Sequence, residues 1–188
     1  TGGESVTSIG NNAFESCTSL TSIIIPDSVT SIGAVAFDSC TSLTTITIGD
    51  SVTSIGNNAF DGTNLTSVTV GTWIATSSME TILVDTGLTL SQITTIEIPD
   101  SVTSIKSGAF EGCTDLTSVT VGTWIAIYSM ETILEDTGLD LADLTSIDIP
   151  DSVTSIGSNA FDSCTLLTTI TGGESVTSIG NNAFESCT

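Results

Sequence analysis

This chain is almost without positive charge. It has one basic residue, Lys106, no histidine, and 22 aspartates and glutamates, giving a net charge of −21 over 188 residues. Such a surface repels polyphosphate, so nucleic acid is excluded as a partner. Anionic membrane surfaces are excluded on the same ground. Long apolar runs are also missing. The longest purely aliphatic stretch is Ile23-Ile24-Ile25, far short of a bilayer span, so no membrane insertion is expected. No signal peptide, lipidation motif or anchor is visible between Thr1 and Thr188. The five cysteines include no CxxC pair, and without histidine a zinc site or a Cys-His nucleophile lacks its parts.

What is present is apolar and repetitive. Hydrophobic residues make up 39% of the chain, enough to bury a continuous core and too many for a disordered acidic tail. Residues 1–18 read TGGESVTSIGNNAFESCT, and residues 171–188 read the same letters at an offset of 170 positions. The expectation is a window on a longer tandem array, holding one 170-residue super-repeat and the 18-residue start of the next.

Shorter repeats lie within that period. S-V-T-S-I begins at Ser5, Ser28, Ser51, Ser101, Ser152 and Ser175, and each copy is followed by an Ala-Phe pair, from Ala13-Phe14 to Ala183-Phe184. A second motif, apolar-T-[ST]-apolar, begins at Leu20, Leu43, Leu65, Ile93, Leu116, Leu144 and Leu167, in steps of 23, 22, 28, 23, 28 and 23 residues. Periods of this size with Leu or Ile at strand spacing indicate a leucine-rich-repeat solenoid. Leu65-x-x-Val68-x-Val70 turns its apolar side chains inward from a parallel strand. The Val and Ile of V-T-S-I are buried on the opposite side of the coil, and Ala-Phe fills the centre.

The predicted fold is therefore an α/β repeat solenoid, one continuous domain over residues 1–188. It has coils of 22–23 residues, two 28-residue coils carrying short helices, and no cap at either end. Stacked strands lie about 4.8 Å apart, so seven coils should advance roughly 35 Å.

The run Ile25-Pro26-Asp27-Ser28-Val29-Thr30-Ser31-Ile32-Gly33, then Ala36-Phe37, Cys40 and Leu43, resembles the BspA-like (Treponema-type) leucine-rich repeat. The likeness covers the regular coils; the two 28-residue coils depart from it. It implies secreted or surface-displayed proteins used in adhesion and surface structure, with no catalytic residues to carry over.

Within the long coils, residues 71–92 and 122–143 are close duplicates. Ser77-x-x-Glu80 fits a capping box, while Tyr128 in the second copy leaves Ser129 as its N-cap. Met79, Ile82 and Leu83 share one helical face and Gly87 suits a C′ stop; Met130, Ile133, Leu134 and Gly138 repeat the arrangement. Trp73 and Trp124 occupy equivalent places. Each either packs beneath its helix or serves as a contact aromatic for carbohydrate or a neighbouring fibre.

Cys17, Cys40, Cys113, Cys164 and Cys187 each follow a Phe by three residues. This arrangement reads as a column of small buried thiols, since side chains pointing in parallel disfavour disulfides between neighbouring coils. The third coil lacks this cysteine and instead carries Asn64-Leu65-Thr66, an N-glycosylation sequon with Asn64 as the candidate acceptor.

The acids fall into two columns. Glu4, Asp27, Asp50, Asp100, Asp151 and Glu174 precede S-V-T-S-I; Glu15, Asp38, Asp61, Glu111, Asp162 and Glu185 follow Ala-Phe. Like charges about 5 Å apart repel by roughly 0.8 kcal/mol even in water. Salt screening, raised carboxyl pKa values, or bound Ca²⁺ held by these oxygen ligands would relieve that repulsion. No EF-hand or RTX-type ligand run is present, so ordered Ca²⁺ sites rank behind a solvated acidic surface, and no other cofactor is implied.

Catalysis is not expected, because the acids recur in every coil whereas an active site is a local break in regularity. Ice binding through a threonine ladder fails on the outward strand column Ile24, Thr47, Thr69, Glu97, Thr120, Asp148, Thr171, which is too mixed for a lattice-matching face. The reading favoured by the sequence is a structural repeat protein of an extracellular filament or cell-surface appendage. Its partner is then itself, through head-to-tail continuation. The alternative is a cell-surface adhesin whose repeat face binds host protein or glycan.

Overall fold

The computed structural model describes residues 5–75, 77–102, 105, 108–126, 129–130 and 140–187. In chain order its strands are β1 (Ser8–Ile9), β2 (Ser22–Ile25), β3 (Ser31–Ile32), β4 (Thr45–Ile48), β5 (Ser54–Ile55), β6 (Ser67–Thr69), β7 (Thr95–Glu97), β8 (Ser118–Thr120), β9 (Ser146–Ile149), β10 (Ser155–Ile156), β11 (Thr169–Gly172) and β12 (Ser178–Ile179). β2, β4, β6, β7, β8, β9 and β11 form one parallel seven-stranded sheet in that spatial order. The V-T-S-I segments supply a second, narrower parallel layer, with β1, β3 and β5 in one sheet and β10 with β12 in another. The chain is a parallel β-solenoid of about seven turns, as its 22- to 28-residue spacing predicts.

Register explains the core. The strand alternation places Ile23, Ile46, Val68, Ile96, Val119, Ile147 and Ile170 in one inward column. Ile46, Val68, Ile96, Val119 and Ile147 are at most 1% exposed. Leu43, Leu65, Ile93, Leu116 and Leu144 form a second column, and Val29, Val52, Val102 and Val153 close the opposite wall. Between them stand the phenylalanines. Phe14, Phe37 and Phe60 stack with centroids 5.1 Å and 5.6 Å apart. A single coil cannot seal these side chains; only its neighbours do.

The long coils modify this scheme in a way the sequence reading did not anticipate. In regular coils the Phe amide donates to the next coil's Ala carbonyl, as Phe14 does to Ala36 and Phe37 to Ala59, both at 2.8 Å. Met79 donates to Ala109 at 2.8 Å and Met130 to Ala160 at 2.7 Å. Both methionines are fully buried. Methionine thus takes the central place of phenylalanine in each long coil, its flexible thioether filling a gap where a ring is absent. Likewise the 3₁₀ turns Thr72–Ala75 and Thr123–Ala126 stand where V-T-S-I would run. Ile125 accepts from Gly157 as Ile9 accepts from Gly33.

The expected helix forms as α1 (Met79–Leu83), with Met79, Ile82 and Leu83 buried. Its cap differs from expectation. Ser78, not Ser77, is the N-cap: its extended backbone lets the hydroxyl accept from the Thr81 amide at 3.2 Å. Gly87 is not the helix stop either. Val84 is the C-cap and Asp85, at φ 56°, is the left-handed residue beyond it. Gly87, also left-handed, serves close approach, because a Cβ there would lie 2.8 Å from the Asp61 Cα. In the second long coil Ser129 and Met130 match the expected start, while Tyr128, Ile133, Leu134 and Gly138 lie outside the described residues.

Left-handed backbone recurs before Ala-Phe in the regular coils, at Asn12, Val35, Asn58, Gly108, Asn159 and Asn182, and before Thr86 in the first long coil, at Asp85. Asn, Asp and Gly tolerate this region; Val35 at φ 61° is the strained member.

Candidate functional site

The two acidic columns, indistinguishable as charges in the sequence, have different roles in the fold. In the first, three Asp carboxylates reach the backbone of the coil stacked on them. Asp27 Oδ1 accepts from the Asp50 amide at 3.0 Å, and Asp50 Oδ1 accepts from the Thr72 amide at 2.6 Å. Asp100 Oδ1 accepts from the Thr123 amide in the same way. These positions lie at the turn after the main strand, where a strand N–H would otherwise face solvent. A carboxylate accepting from backbone N–H makes a charge-assisted bond, so this column is part of the stacking interface. The sequence signal is the fixed offset: Thr72 and Thr123 fall one coil after Asp50 and Asp100 although neither is acidic.

Two members of the second column bond within their own coil. Glu15 accepts from the Asn12 side chain at 2.6 Å and Asp38 from the Ser39 hydroxyl at 3.0 Å. Glu4 lies outside the described residues; Asp61, Asp151, Glu111, Glu174 and Glu185 are exposed and Asp162 is half-buried. Both columns therefore spread their carboxylates one per coil. Among the described residues no three His, Cys, Asp or Glu side chains converge as a metal would require.

The outward strand column holds acids and hydroxyls in alternation. Parallel register sets Thr69, Glu97, Thr120, Asp148 and Thr171 in line. Thr69 donates to Glu97 and Thr171 to Asp148, each at 2.7 Å. The threonines beside the strands also turn their hydroxyls back onto the stack. Thr44 donates to the Thr21 carbonyl, Thr145 to Thr117 and Thr168 to Thr145. On the opposite wall Thr30, Thr53 and Thr177 do the same to Thr7, Thr30 and Thr154. A hydroxyl ladder of this kind ties coil to coil, which accounts for the abundance of threonine without a ligand.

The remaining candidates are structural in character. Trp73 is only 6% exposed and its indole N–H donates to the Ile48 carbonyl at 3.4 Å, so its reading as a contact aromatic is corrected: it packs inside the coil. The side chain of Trp124 lies outside the description. Asn64 is exposed, but its amide donates to the Thr41 carbonyl at 2.8 Å, one more inter-coil bond.

All five cysteines are free thiols, with Cys40, Cys113 and Cys164 buried. Cys40 donates to the Phe14 carbonyl at 3.1 Å and Cys187 to Phe161 at 3.2 Å. Burial pushes the Cys113 thiol up to about 11 and the Cys164 thiol up to about 12; it raises Cys40 and Cys187 as well. These thiols stay protonated and inert at neutral pH. Thr63 stands in the cysteine's place in the third coil, its hydroxyl satisfied by the Phe60 carbonyl.

What the geometry defines is a leucine-rich-repeat protein whose polar side chains are spent largely on joining one coil to the next. The model of the BspA type leucine rich repeat region matches residues 7–133 and 132–188, in six copies. The chain belongs to that family.

Among solved structures the chain is similar to a leucine-rich repeat protein of T. pallidum, at 24% identity and a TM-score of 0.35, over 97% of this chain and 70% of that one. It is similar to a leucine-rich repeat protein from Bacteroides ovatus at 22% identity and a TM-score of 0.30, over 97% and 68%. A leucine rich cell surface protein from Faecalibacterium prausnitzii matches at 24% identity and a TM-score of 0.29, over 97% and 69%. No curated protein matches the chain.

Proposed function

We propose that this chain is a structural segment of an extracellular filament or cell-surface appendage, one period of a longer tandem array. The observation that carries this reading is the direction of its polar contacts. Asp carboxylates, Thr hydroxyls, Asn64 and Cys40 all bond to the backbone of an adjacent coil. A column joined in this way on several walls resists bending. Its unbalanced acidic exterior keeps parallel columns apart and in solution. The role is mechanical and uses no cofactor.

Micrographs of tandem units at neutral pH test the proposal. Long, uniform filaments are expected. Short monomeric rods that retain binding to a host protein or glycan would replace this reading with that of an adhesin.

A further inference from the structure

The chain has three prolines, Pro26, Pro99 and Pro150, and each stands just past the end of a main-sheet strand. Strands β7, β8 and β9 pair Glu97 with Thr120 and Thr120 with Asp148. Two residues further on, that register sets Gly122 between Pro99 and Pro150 on adjacent coils. The two rings wall a buried glycine, and a notch of about 170 Å³ opens between them. Its rim carries Glu97, Asp100 and Ser152, all exposed. The notch lies inside the stack, with further coils on both sides.

The rim carboxylates are half committed. Glu97 Oε2 accepts from the Thr69 hydroxyl, and Asp100 Oδ1 accepts from the Thr123 amide. Each acid therefore keeps one oxygen outside the bonds that join the coils.

We propose that this notch seats a lysine side chain of a basic polypeptide. The proline rings cover the aliphatic stem, since lysine stems lie along apolar surface while the ammonium stays wet. The ammonium reaches the second oxygens of Glu97 and Asp100 and the Ser152 hydroxyl, three acceptors for its three N–H donors. The volume is of the right order. At about 30 Å³ per water the notch holds about five or six waters, against about five heavy atoms in a lysine side chain.

Charge supplies the complementarity. With 22 acids against one base, the surface draws in a cationic partner and refuses an anionic one. Arginine fits less well: its fork is matched by both oxygens of one carboxylate, and here one oxygen of each is engaged. Ca²⁺ takes about six to eight oxygens, and no three acidic side chains converge among the described residues. In a tandem array the notch would recur once in each 170-residue unit, so a partner bearing several lysines is held by avidity. The inference goes beyond the filament reading and stands equally for an adhesin.

NMR titration of the ¹⁵N-labelled full chain tests it at low ionic strength, where charge is least screened. The probe is Nα-acetyl-lysine N-methylamide, with its arginine counterpart for comparison. The Gly122, Thr123 and Ser152 amides should shift and saturate with the lysine probe. The arginine probe should bind at least about threefold more weakly. Glu97→Gln combined with Asp100→Asn should weaken the lysine probe about tenfold. The new side-chain carbonyls still accept from Thr69 and Thr123, so the bonds between coils survive. Glu111→Gln combined with Glu185→Gln removes the same charge elsewhere and should change binding less than about twofold. Pro150→Ala alters no charge and should weaken binding about threefold through the lost apolar wall.

Shifts that spread over the acidic surface without saturating would overturn the lysine notch. So would an equal loss in the control pair, full binding by Pro150→Ala, or tighter binding of the arginine probe. Filament formation by tandem units is a separate readout that none of these results changes.

Discussion

Replacing Phe37 with alanine removes the middle ring of a three-ring stack. Phe37 is fully buried, with partners at 5.1 Å and 5.6 Å. Truncating a buried phenylalanine costs about 3–5 kcal/mol, and aromatic pairing contributes about 0.5–1.5 kcal/mol per partner within that total. In a nearest-neighbour stack this loss is local. The coils on the Phe14 side depend on the rest of the molecule through Phe37 and the backbone bonds around it, whereas Phe110, Phe161 and their neighbours do not. Residue-resolved hydrogen exchange distinguishes a local loss from a global one. The amides of Phe14, Ser16 and Thr30 should exchange about two to three and a half orders of magnitude faster, since each 1.4 kcal/mol is tenfold. The amides of Thr145 and Thr168 should be unchanged. Acceleration spread evenly over the whole chain would refute the reasoning, because it would mean that the coils unfold as one globular unit.

Further expectations follow from single positions. Val35→Asn should raise stability by about 1 kcal/mol in urea melts: a left-handed L-residue costs about 1–2 kcal/mol, Asn tolerates that backbone, and the half-buried valine returns only part of the gain as lost packing. Asp50→Ala removes the acceptor of the Thr72 amide but relieves repulsion by Asp27 of roughly 0.8 kcal/mol in water. It should be near neutral at low salt and destabilising by about 1 kcal/mol at high salt, where the relief is screened away but the bond is still missing; equal effects at both would count against the ladder. Burial raises the Cys113 and Cys164 thiols to about 11 and about 12, above their ordinary value of 9.0. Their contribution to stability is complete below pH 9 and is lost as pH rises towards those values; the Cys113→Ala, Cys164→Ala double variant should flatten that alkaline decline in thermal melts.

Much of the fold was legible because solenoids repeat their chemistry. The 2-residue alternation in Leu65-x-x-Val68-x-Val70 gave the inward face, and the Val and Ile of V-T-S-I gave the opposite wall; most of these side chains are buried. Details that depend on the neighbouring coil were not legible. Spacing put Asp27 and Asp50 in a column but could not show that one carboxylate meets the backbone amide of the next residue in that column. The same limit hid methionine in the place of phenylalanine, because Met79 is aligned by its bond to Ala109, thirty residues on, and not by its own motif. The Ser77 cap failed for a local reason: Ser77 and Ser78 both offer a hydroxyl, and backbone conformation alone selects Ser78.

Length measures the central claim most directly. Scattering profiles or micrographs of chains carrying one, two and three 170-residue units should give rods of constant cross-section. Each added unit should lengthen the rod by roughly 35 Å, seven strand spacings. Particles that thicken as units are added, or whose length stays fixed, would contradict a column built and held by adjacent coils.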